Sequence, residues 1–461
     1  LADKLQELAS GLEGVLGAAG LGGTVESLVR LSGGASRETF SFDLVDGGAR
    51  RPLILQRVRR GTVAGGPGMQ GEAALIRAAA EVGVPVPTVV ADDDGSQLGG
   101  PAMVLDRLEG ETIARKILRD EEFAHARDVL VGQAGAALAA IHRIPIGSAA
   151  LRDQDQVEEL RGLAEVVGQP LPAIELGLRW LDANRPPSSG HTVVHGDFRL
   201  GNLMVGPDGL RGVLDWELSH LGDPVEDLGW YCVRAWRFGS PLPAGGTGTR
   251  EDLCAAYEAA GGRPVDPEAL RWWEVLGTLK WGLICGLQAS AHLTGASRSV
   301  ELATIGRRIC ENEWDLLGLL PGGPLPDDDP PPPAAPTDLY GRPTALELVE
   351  AVREWVDGDV REGTEGRLSF HARVAVNALR MVERELAQGP AHAAAHSARL
   401  AALGCADEAE LAARIRSGEL DDRAEEVRQA VAATACARLQ VSNPGWLEPD
   451  QLIPGSSTAA S

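Results

Sequence analysis

The stretch His195-Gly196-Asp197-Phe198-Arg199-Leu200-Gly201-Asn202 lies between two short apolar runs, Thr192–Val194 and Leu203–Val205, and a third run, Leu210–Leu214, follows closely. Apolar runs of this length, bounded by Gly and Asp, read as short strands, so His195 to Asn202 form a loop anchored at both ends. In that loop Asp197 and Asn202 stand five positions apart, and a second carboxylate, Asp215, ends the run Gly212-Val213-Leu214. A carboxylate that can take a proton from a hydroxyl, beside hard oxygen donors of the kind magnesium prefers, is what phosphoryl transfer asks of a protein. Asp197 is therefore the candidate base, Asn202 and Asp215 are the candidate metal ligands, and His195 is a scaffold residue that ties the loop down. A plain turn capped by Asp197 would leave both the asparagine and the strand-end aspartate without a reason.

The same loop, together with Val213-Leu214-Asp215-Trp216-Glu217 and Gly222-Asp223-Pro224-Val225-Glu226-Asp227-Leu228, resembles the aminoglycoside phosphotransferase and choline-kinase-like family. The likeness is nearest to the kinase domains fused to certain acyl-CoA dehydrogenases, and it spans roughly the first 320 residues. It implies an α+β, two-lobed protein-kinase-like fold, with a small β-rich N-lobe and a mostly helical C-lobe, ATP in the cleft and Mg2+ on its phosphates. Two departures from protein kinases bear on the acceptor. Gly196 replaces the arginine that reads a phosphorylated activation loop, and Asp215-Trp216-Glu217 stands where Asp-Phe-Gly is usual. With no Ala-Pro-Glu downstream, these favour a small-molecule hydroxyl over a protein.

On the nucleotide side, the resemblance implies that Ser32, Gly33, Gly34 and Ser36 cover the ATP phosphates, although two glycines after a strand are by themselves more often a hairpin turn. The family places a basic residue on the next strand, paired with a helix glutamate, here Glu72. The strand reads Leu53-Ile54-Leu55-Gln56-Arg57, and direct alignment puts Gln56 at the basic position. Gln56 and Arg57 face opposite ways, so only one of them enters the cleft. If neither serves, the alternative is a pseudokinase-like nucleotide-binding scaffold or regulatory protein with a partner on its C-terminal domain. Met103 to Leu105 form the expected adenine hinge. Asp223 and Asp227 are expected to cap the next helix or to tie the catalytic loop in place.

Around these motifs the N-terminal part reads as five strands with one helix after the third. The strands are Val25–Leu31, Glu38–Val45, Pro52–Val58, Val86–Ala91 and Ala102–Leu108, and the helix is Met69–Val82, stopped by Gly83 and Pro85. Beyond Glu111 the pattern is helical to about Leu320. Pro321–Pro336 has little to bury and reads as a linker, after which an Ala/Glu/Arg-rich helical stretch runs to about Leu439. The expected divisions are 1–108 for the N-lobe, 109–320 for the helical C-lobe, 321–341 for the linker, 342–450 for a separate C-terminal all-α domain and 451–461 for a disordered tail.

The chain has 461 residues and a formal net charge of −23, which speaks against a nucleic-acid partner, because that affinity rests on clustered Lys and Arg. Its six cysteines show no Cys-x-x-Cys spacing and read as reduced thiols. Leu1–Leu5 has no basic stretch leading into an apolar core, so no secretory signal is expected, and the location expected is cytoplasmic. The longest apolar stretch, Trp272–Ala291, is broken by Glu274, Lys280 and Gln288 and reads as a buried helix, not a membrane span. Eight of the ten tryptophans fall between Trp180 and Trp314, most of them as core. Arg199, Trp230, Trp236 and Lys280 are the candidates for contact with the acceptor. Lys280 either faces an anionic substrate or, the preferred reading, pairs with a carboxylate such as Glu274. A hydroxyacyl compound, free or as its CoA thioester, is the first guess for the acceptor.

Overall fold

The computed structural model describes residues 2–31, 37–58, 66–334 and 339–448. They fall into two compact units, one of residues 2–154 with 186–274, the other of 155–185 with 275–448.

The first unit opens with helix α1 (Ala2–Ala18), then β1 (Thr24–Arg30), β2 (Arg37–Asp46), β3 (Ala49–Val58), α2 (Gly68–Glu81), β4 (Val89–Asp93) and β5 (Ala102–Asp106). The five strands make one antiparallel sheet in the order β1-β2-β3-β5-β4. Period-two alternation sends Phe40, Phe42, Leu44, Leu53, Leu55 and Val104 to one face, where they pack on Leu8, Leu12, Val15 and Leu16 of α1. Each fully buried leucine there contributes about 2 kcal/mol. On the opposite face, Thr39, Gln56 and Met103 stand in register across three strands, with Ile54 and Leu105 beside them. The sequence reading starts at Val25 and passes over α1, although Leu5, Leu8, Leu12, Val15 and Leu16 recur at helical spacing. Strand β4 begins at Val89 and not at Val86, because Pro87 has no N–H to give to a ladder.

Helices α3 (Ala114–Arg119) and α4 (Ala124–Ile141) follow; α5 (Gln156–Val167) and α6 (Pro172–Ala183) belong to the second unit. The first unit resumes with β6 (Thr192–Val194), β7 (Leu203–Gly206), β8 (Gly209–Val213), β9 (His220–Gly222), α7 (Val225–Cys232), α8 (Arg250–Ala259) and the start of α9 (Pro267–Leu293). Strand β6 pairs with β9 and β7 with β8, so the loop from His195 to Asn202 is held between two small sheets.

The second unit continues with the rest of α9, α10 (Val300–Ile305), α11 (Ile309–Leu319), α12 (Ala345–Trp355), α13 (Gly366–Leu403), α14 (Glu408–Ser417) and α15 (Ala424–Ser442). Its C-terminal helices are not a separate body. Ala173 of α6 and Leu317 of α11 share one core with Leu400, Leu411, Ile415, Val427 and Val431. The Pro/Asp-rich stretch is also held, as Gln429 donates to the Pro324 carbonyl at 3.2 Å and Gln440 to that of Asp328 at 2.7 Å. Composition marks that stretch as a linker, but its carbonyls accept from the side-chain amides of Gln429 and the buried Gln440. Among the described residues no helix is long and apolar enough to cross a membrane.

Arg438 on α15 clamps this unit, with Nη1 donating to Glu313 of α11 at 2.9 Å and Nη2 to Glu408 of α14 at 2.6 and 2.7 Å. Glu313 is buried, and removing its cation strands a desolvated carboxylate. Arg438→Met is expected to destabilise the protein by about 3–5 kcal/mol, read as a lower urea midpoint. An unchanged midpoint would show that the clamp is idle.

Candidate active site

Asp227, in the first turn of α7, shapes the catalytic loop. Its fully buried carboxylate accepts the backbone N–H groups of His195 at 2.8 Å and Gly196 at 2.9 Å, and His142 Nε2 lies 3.1 Å away. Burial alone would raise the pKa of Asp227, but the His142 hydrogen bond and the charges around it hold the group below the ordinary carboxylate value. Asp223, one residue before the Pro224 N-cap, accepts the Val225 N–H, the first of α7, at 3.0 Å. Gly196 has a φ of 77°, and a Cβ there would stand 2.4 Å from the Leu218 carbonyl oxygen. The backbone demands that glycine whatever the acceptor. His195 is buried against Trp216, ring centroids 4.8 Å apart. Its Nε2 donates to the Leu214 carbonyl at 3.1 Å, which leaves Nδ1 to accept Asp197 N–H at 3.2 Å. Desolvation lowers the pKa of His195 and keeps it neutral, a scaffold and not a base.

Three donors converge on the Asp197 side chain. Trp230 Nε1–H donates to Oδ1 at 2.9 Å, Asn202 Nδ2 to Oδ2 at 2.6 Å, and Arg199 Nε lies 3.0 and 3.2 Å from the two oxygens. The Arg199 guanidinium rests on Trp236 at 5.0 Å, and Trp236 lies 5.2 Å from Trp230. The structure thus gathers Arg199, Trp230 and Trp236 around the candidate base. Lys280 falls in the second unit, and Glu274, its proposed partner, is engaged by Arg237 at 2.8 Å and Arg250 at 2.7 Å.

Asn202 spends its amide nitrogen on the Asp197 side chain and carbonyl, so its amide oxygen is the atom left for a cation. Asp215 follows β8 with a φ of 63°, an uncommon conformation for a non-glycine residue and one that clusters at functional sites. Burial, and next the charge of Glu217, push its carboxyl up to about 6. Among the described residues no cluster of three His, Cys, Asp or Glu side chains stands ready to hold a metal. Asn202 and Asp215 could offer two oxygen donors, a small set of the kind magnesium uses when phosphate and water complete its shell.

On the nucleotide side, Ser32, Gly33, Gly34 and Ser36 lie outside the described residues. Arg37, which opens β2, forms a two-pronged pair with Glu72 of α2 at 2.7 and 2.6 Å and reaches Glu217 at 2.9 Å. Arg57 points the other way: it pairs with Glu38 at 2.6 Å, donates to the Leu98 carbonyl at 2.8 Å and lies over Phe40. The choice between Gln56 and Arg57 therefore has a third answer. Gln56 is on the face opposite α1, Arg57 is on the α1 side, and the cation that meets Glu72 comes from β2. Arg37 is two residues from Thr39, the partner of Gln56, so it shares their face of the sheet, which only the pairing of β2 with β3 reveals.

Burial, partly offset by Arg37 and reinforced by Asp215 and Glu217, raises Glu72 to about 7. Burial works against the charge on Arg37 too, but Glu72 and Glu217 outweigh it and its pKa rises. Three carboxylates around one arginine leave surplus negative charge, which a divalent cation would balance. Gly66 marks how tightly the chain enters α2, because a Cβ there would stand 2.0 Å from the Glu217 carbonyl oxygen.

The hinge differs from expectation. Met103 and Leu105 sit mid-strand in β5, paired to β3 on one side and β4 on the other, so the ladder uses their backbone groups. The N–H groups of Asp106 and Arg107 are taken too, by the Thr88 and Pro52 carbonyls, so an N–H free to meet a base comes only beyond Arg107.

Residues 27–273, more than half the chain, match the model of the phosphotransferase enzyme family, and residues 362–446 match a domain of unknown function, DUF6285. Mouse acyl-CoA dehydrogenase family member 10 is 30% identical over 238 residues, covering 48% of this chain and 21% of that protein. Mouse acyl-CoA dehydrogenase family member 11 is 36% identical over 116 residues, covering 23% and 15%. The chain therefore spans about a fifth or less of these relatives. A Ralstonia eutropha structure assigned as an aminoglycoside phosphotransferase superposes with a TM-score of 0.54 at 22% identity, over 67% of this chain and 97% of that one, a likeness of fold.

The Asp227 tie has a pH signature. Asp227→Asn places an amide where two backbone N–H groups need an acceptor, and is expected to cost about 2–4 kcal/mol at pH 7. Because the native pKa is depressed, the wild-type advantage is fully present above the ordinary Asp value and is lost as pH falls through the native one. The gap in urea midpoint between wild type and variant should therefore shrink below about pH 4. A gap that widens on acidification would contradict the assignment.

Proposed function

The chain belongs to the phosphotransferase enzyme family, and on that premise we propose that it transfers the γ-phosphoryl group of ATP to a hydroxyl of a small molecule, with Asp197 as the base. The observation that carries the reading is the Asp197 carboxylate itself. Trp230 and Asn202 fix its two oxygens, and Asp227 fixes the loop beneath it, so the group is aimed before any substrate arrives. The acceptor hydroxyl would donate to Asp197 and lose its proton to it as the oxygen attacks phosphorus. Arg37, braced by Glu72, presents a cation on the nucleotide side, and Arg199 brings a second beside the base. Magnesium, when bound, neutralises phosphate charge, and Asn202 with Asp215 would hold it.

For the acceptor we favour a hydroxyacyl compound, free or as a CoA thioester. The support is that relatives sharing this segment are named as acyl-CoA dehydrogenase family members, and that two tryptophans, Trp230 and Trp236, pack beside Asp197. The scaffold reading drew its motive from Gln56. Arg37 on Glu72 supplies the cation that Gln56 lacks, which weakens that motive.

The test is ATP turnover with magnesium over a panel of hydroxyacids and hydroxyacyl-CoA thioesters. Asp197→Asn should lower kcat by ~10²–10⁴-fold while ATP still binds. Arg37→Met should raise the KM for ATP by about tenfold or more, while Arg57→Met leaves it within about twofold. ATP binding without acceptor-dependent turnover on any panel member would overturn the proposal in favour of the scaffold.

A further inference from the structure

His142 reaches the Asp227 carboxylate with one ring nitrogen, and its other nitrogen meets a residue that has no part yet in the phosphotransfer reading. Helices α4 and α8 come close at Gly135, where a Cβ would stand 2.8 Å from the Leu253 carbonyl oxygen and the Tyr257 nitrogen. That approach sets Tyr257 of α8 beside His142, which ends α4 about two turns further on. The Tyr257 hydroxyl lies 2.9 Å from His142 Nδ1, and the two rings meet edge to face with centroids 5.5 Å apart. Gly262 lets the chain fold over the phenol, since a Cβ there would stand 2.3 Å from the Tyr257 ring. The side chains of Tyr257, His142 and Asp227 are all buried, so a row of hydrogen bonds runs from α8 through the end of α4 to α7 out of reach of solvent.

The two ends of the row fix the direction of each bond. Asp227, held below the ordinary carboxylate value, is ionised and can only accept, so the hydrogen between it and His142 sits on Nε2. Burial, and next the charge of Asp227, pushes the Tyr257 phenol up to about 12, so it keeps its proton. Among the described residues that proton has no acceptor other than His142 Nδ1. One hydrogen in each link satisfies every group: the Tyr257 O–H donates to Nδ1, and Nε2–H donates to Asp227. In the other tautomer the Nε2 lone pair would face a carboxylate, and the phenol proton would lose its acceptor.

We propose that Tyr257 is a positioning residue for phosphotransfer: by donating to His142 it selects the tautomer that donates to Asp227, and so holds the loop that aims Asp197. The proposal rests on the reading of Asp197 as the base. Tyr257 acts through His142 and Asp227, not on the reacting atoms.

The test is nitrogen NMR and amide exchange on the full chain, with the His142 signals recognised by their loss in His142→Gln. Wild type should show a single His142 tautomer, protonated on Nε2. Tyr257→Phe keeps the ring and removes the hydroxyl, and should show a mixture of tautomers. The His195 and Gly196 amides should then exchange about tenfold faster, while those of the five-stranded sheet exchange as before. In the ATP assay kcat should fall about tenfold, with the KM for ATP within about twofold. In a His142→Gln background no tautomer is left to set, so Tyr257→Phe should alter loop exchange by less than about twofold further. A chain that turns over no ATP would remove the proposed function, and the tautomer and exchange measurements would still decide this proposal. It is overturned if wild-type His142 is protonated on Nδ1 or on both nitrogens. It is overturned equally if Tyr257→Phe leaves the tautomer, the loop exchange or the kcat of an active chain unchanged, or speeds loop exchange just as much in His142→Gln.

Discussion

Two backbone N–H groups, from His195 and Gly196, point at the Asp227 carboxylate, and His142 approaches the same carboxylate from α4's C-terminal end. A buried carboxylate with these partners is worth more to the native state ionised than neutral, which is why its pKa lies low in spite of complete burial. Everything the loop does follows from that anchor. With His195 and Gly196 pinned, the His195 ring lies between the Leu214 carbonyl and the Asp197 amide, and the turn delivers the Asp197 side chain to Trp230. Trp230 is itself three residues beyond Asp227 on α7, so a single helical turn supplies both the anchor of the loop and a donor that orients the Asp197 side chain.

Charge on the other wall is arranged differently. Around Asp227 the protein balances its own charge, whereas around Asp215 it does not. Glu72, Asp215 and Glu217 share Arg37, and two of the three carboxyls are pushed up, to about 7 and about 6. A structural ion pair with that balance would be a poor use of burial, since desolvation exceeds what one arginine returns. The imbalance fits the proposed magnesium, which would bring the balancing charge. The left-handed backbone of Asp215 points the same way, because strain of that kind persists only where surrounding structure imposes it.

What the sequence made legible was the part that depends on neighbours in sequence. His195, Asp197 and Asn202 lie in one loop, and Asp215 ends the next hairpin, so spacing together with the family resemblance put them forward as candidates. The strands of the sheet were legible for the same reason, through alternation and glycine turns. Arg37 was not, because its role depends on the pairing of β2 with β3 and on which face of the sheet meets α2. Trp230 was readable as an aromatic near the site but not as a donor to Asp197, since only the fold of α7 aims its indole N–H. The C-terminal division misled for a related reason: proline-rich composition signals a linker, and nothing local says that Gln429 and Gln440 will bind its carbonyls or that Ala173 and Leu317 will complete the core beyond it.

The donors on Asp197 set a condition on how the site can work. A carboxylate offers about four acceptor positions. Here Oδ1 receives Trp230 and Arg199, and Oδ2 receives Asn202 and Arg199. An acceptor hydroxyl that bonds to Asp197 therefore has to take the place of one of them. Trp230 is fixed in a buried turn of α7, and Asn202 is held by a second bond to the Asp197 carbonyl. Arg199 spreads one N–H over both oxygens at 3.0 and 3.2 Å, the longest contacts of the set, and has a second resting place on the face of Trp236. It is the donor held least, and its departure would free both oxygens at once. In the proposed reaction, arrival of the hydroxyl and release of the arginine towards the transferring phosphoryl group would be one event, so the base is unmasked only when something is present to lose a proton.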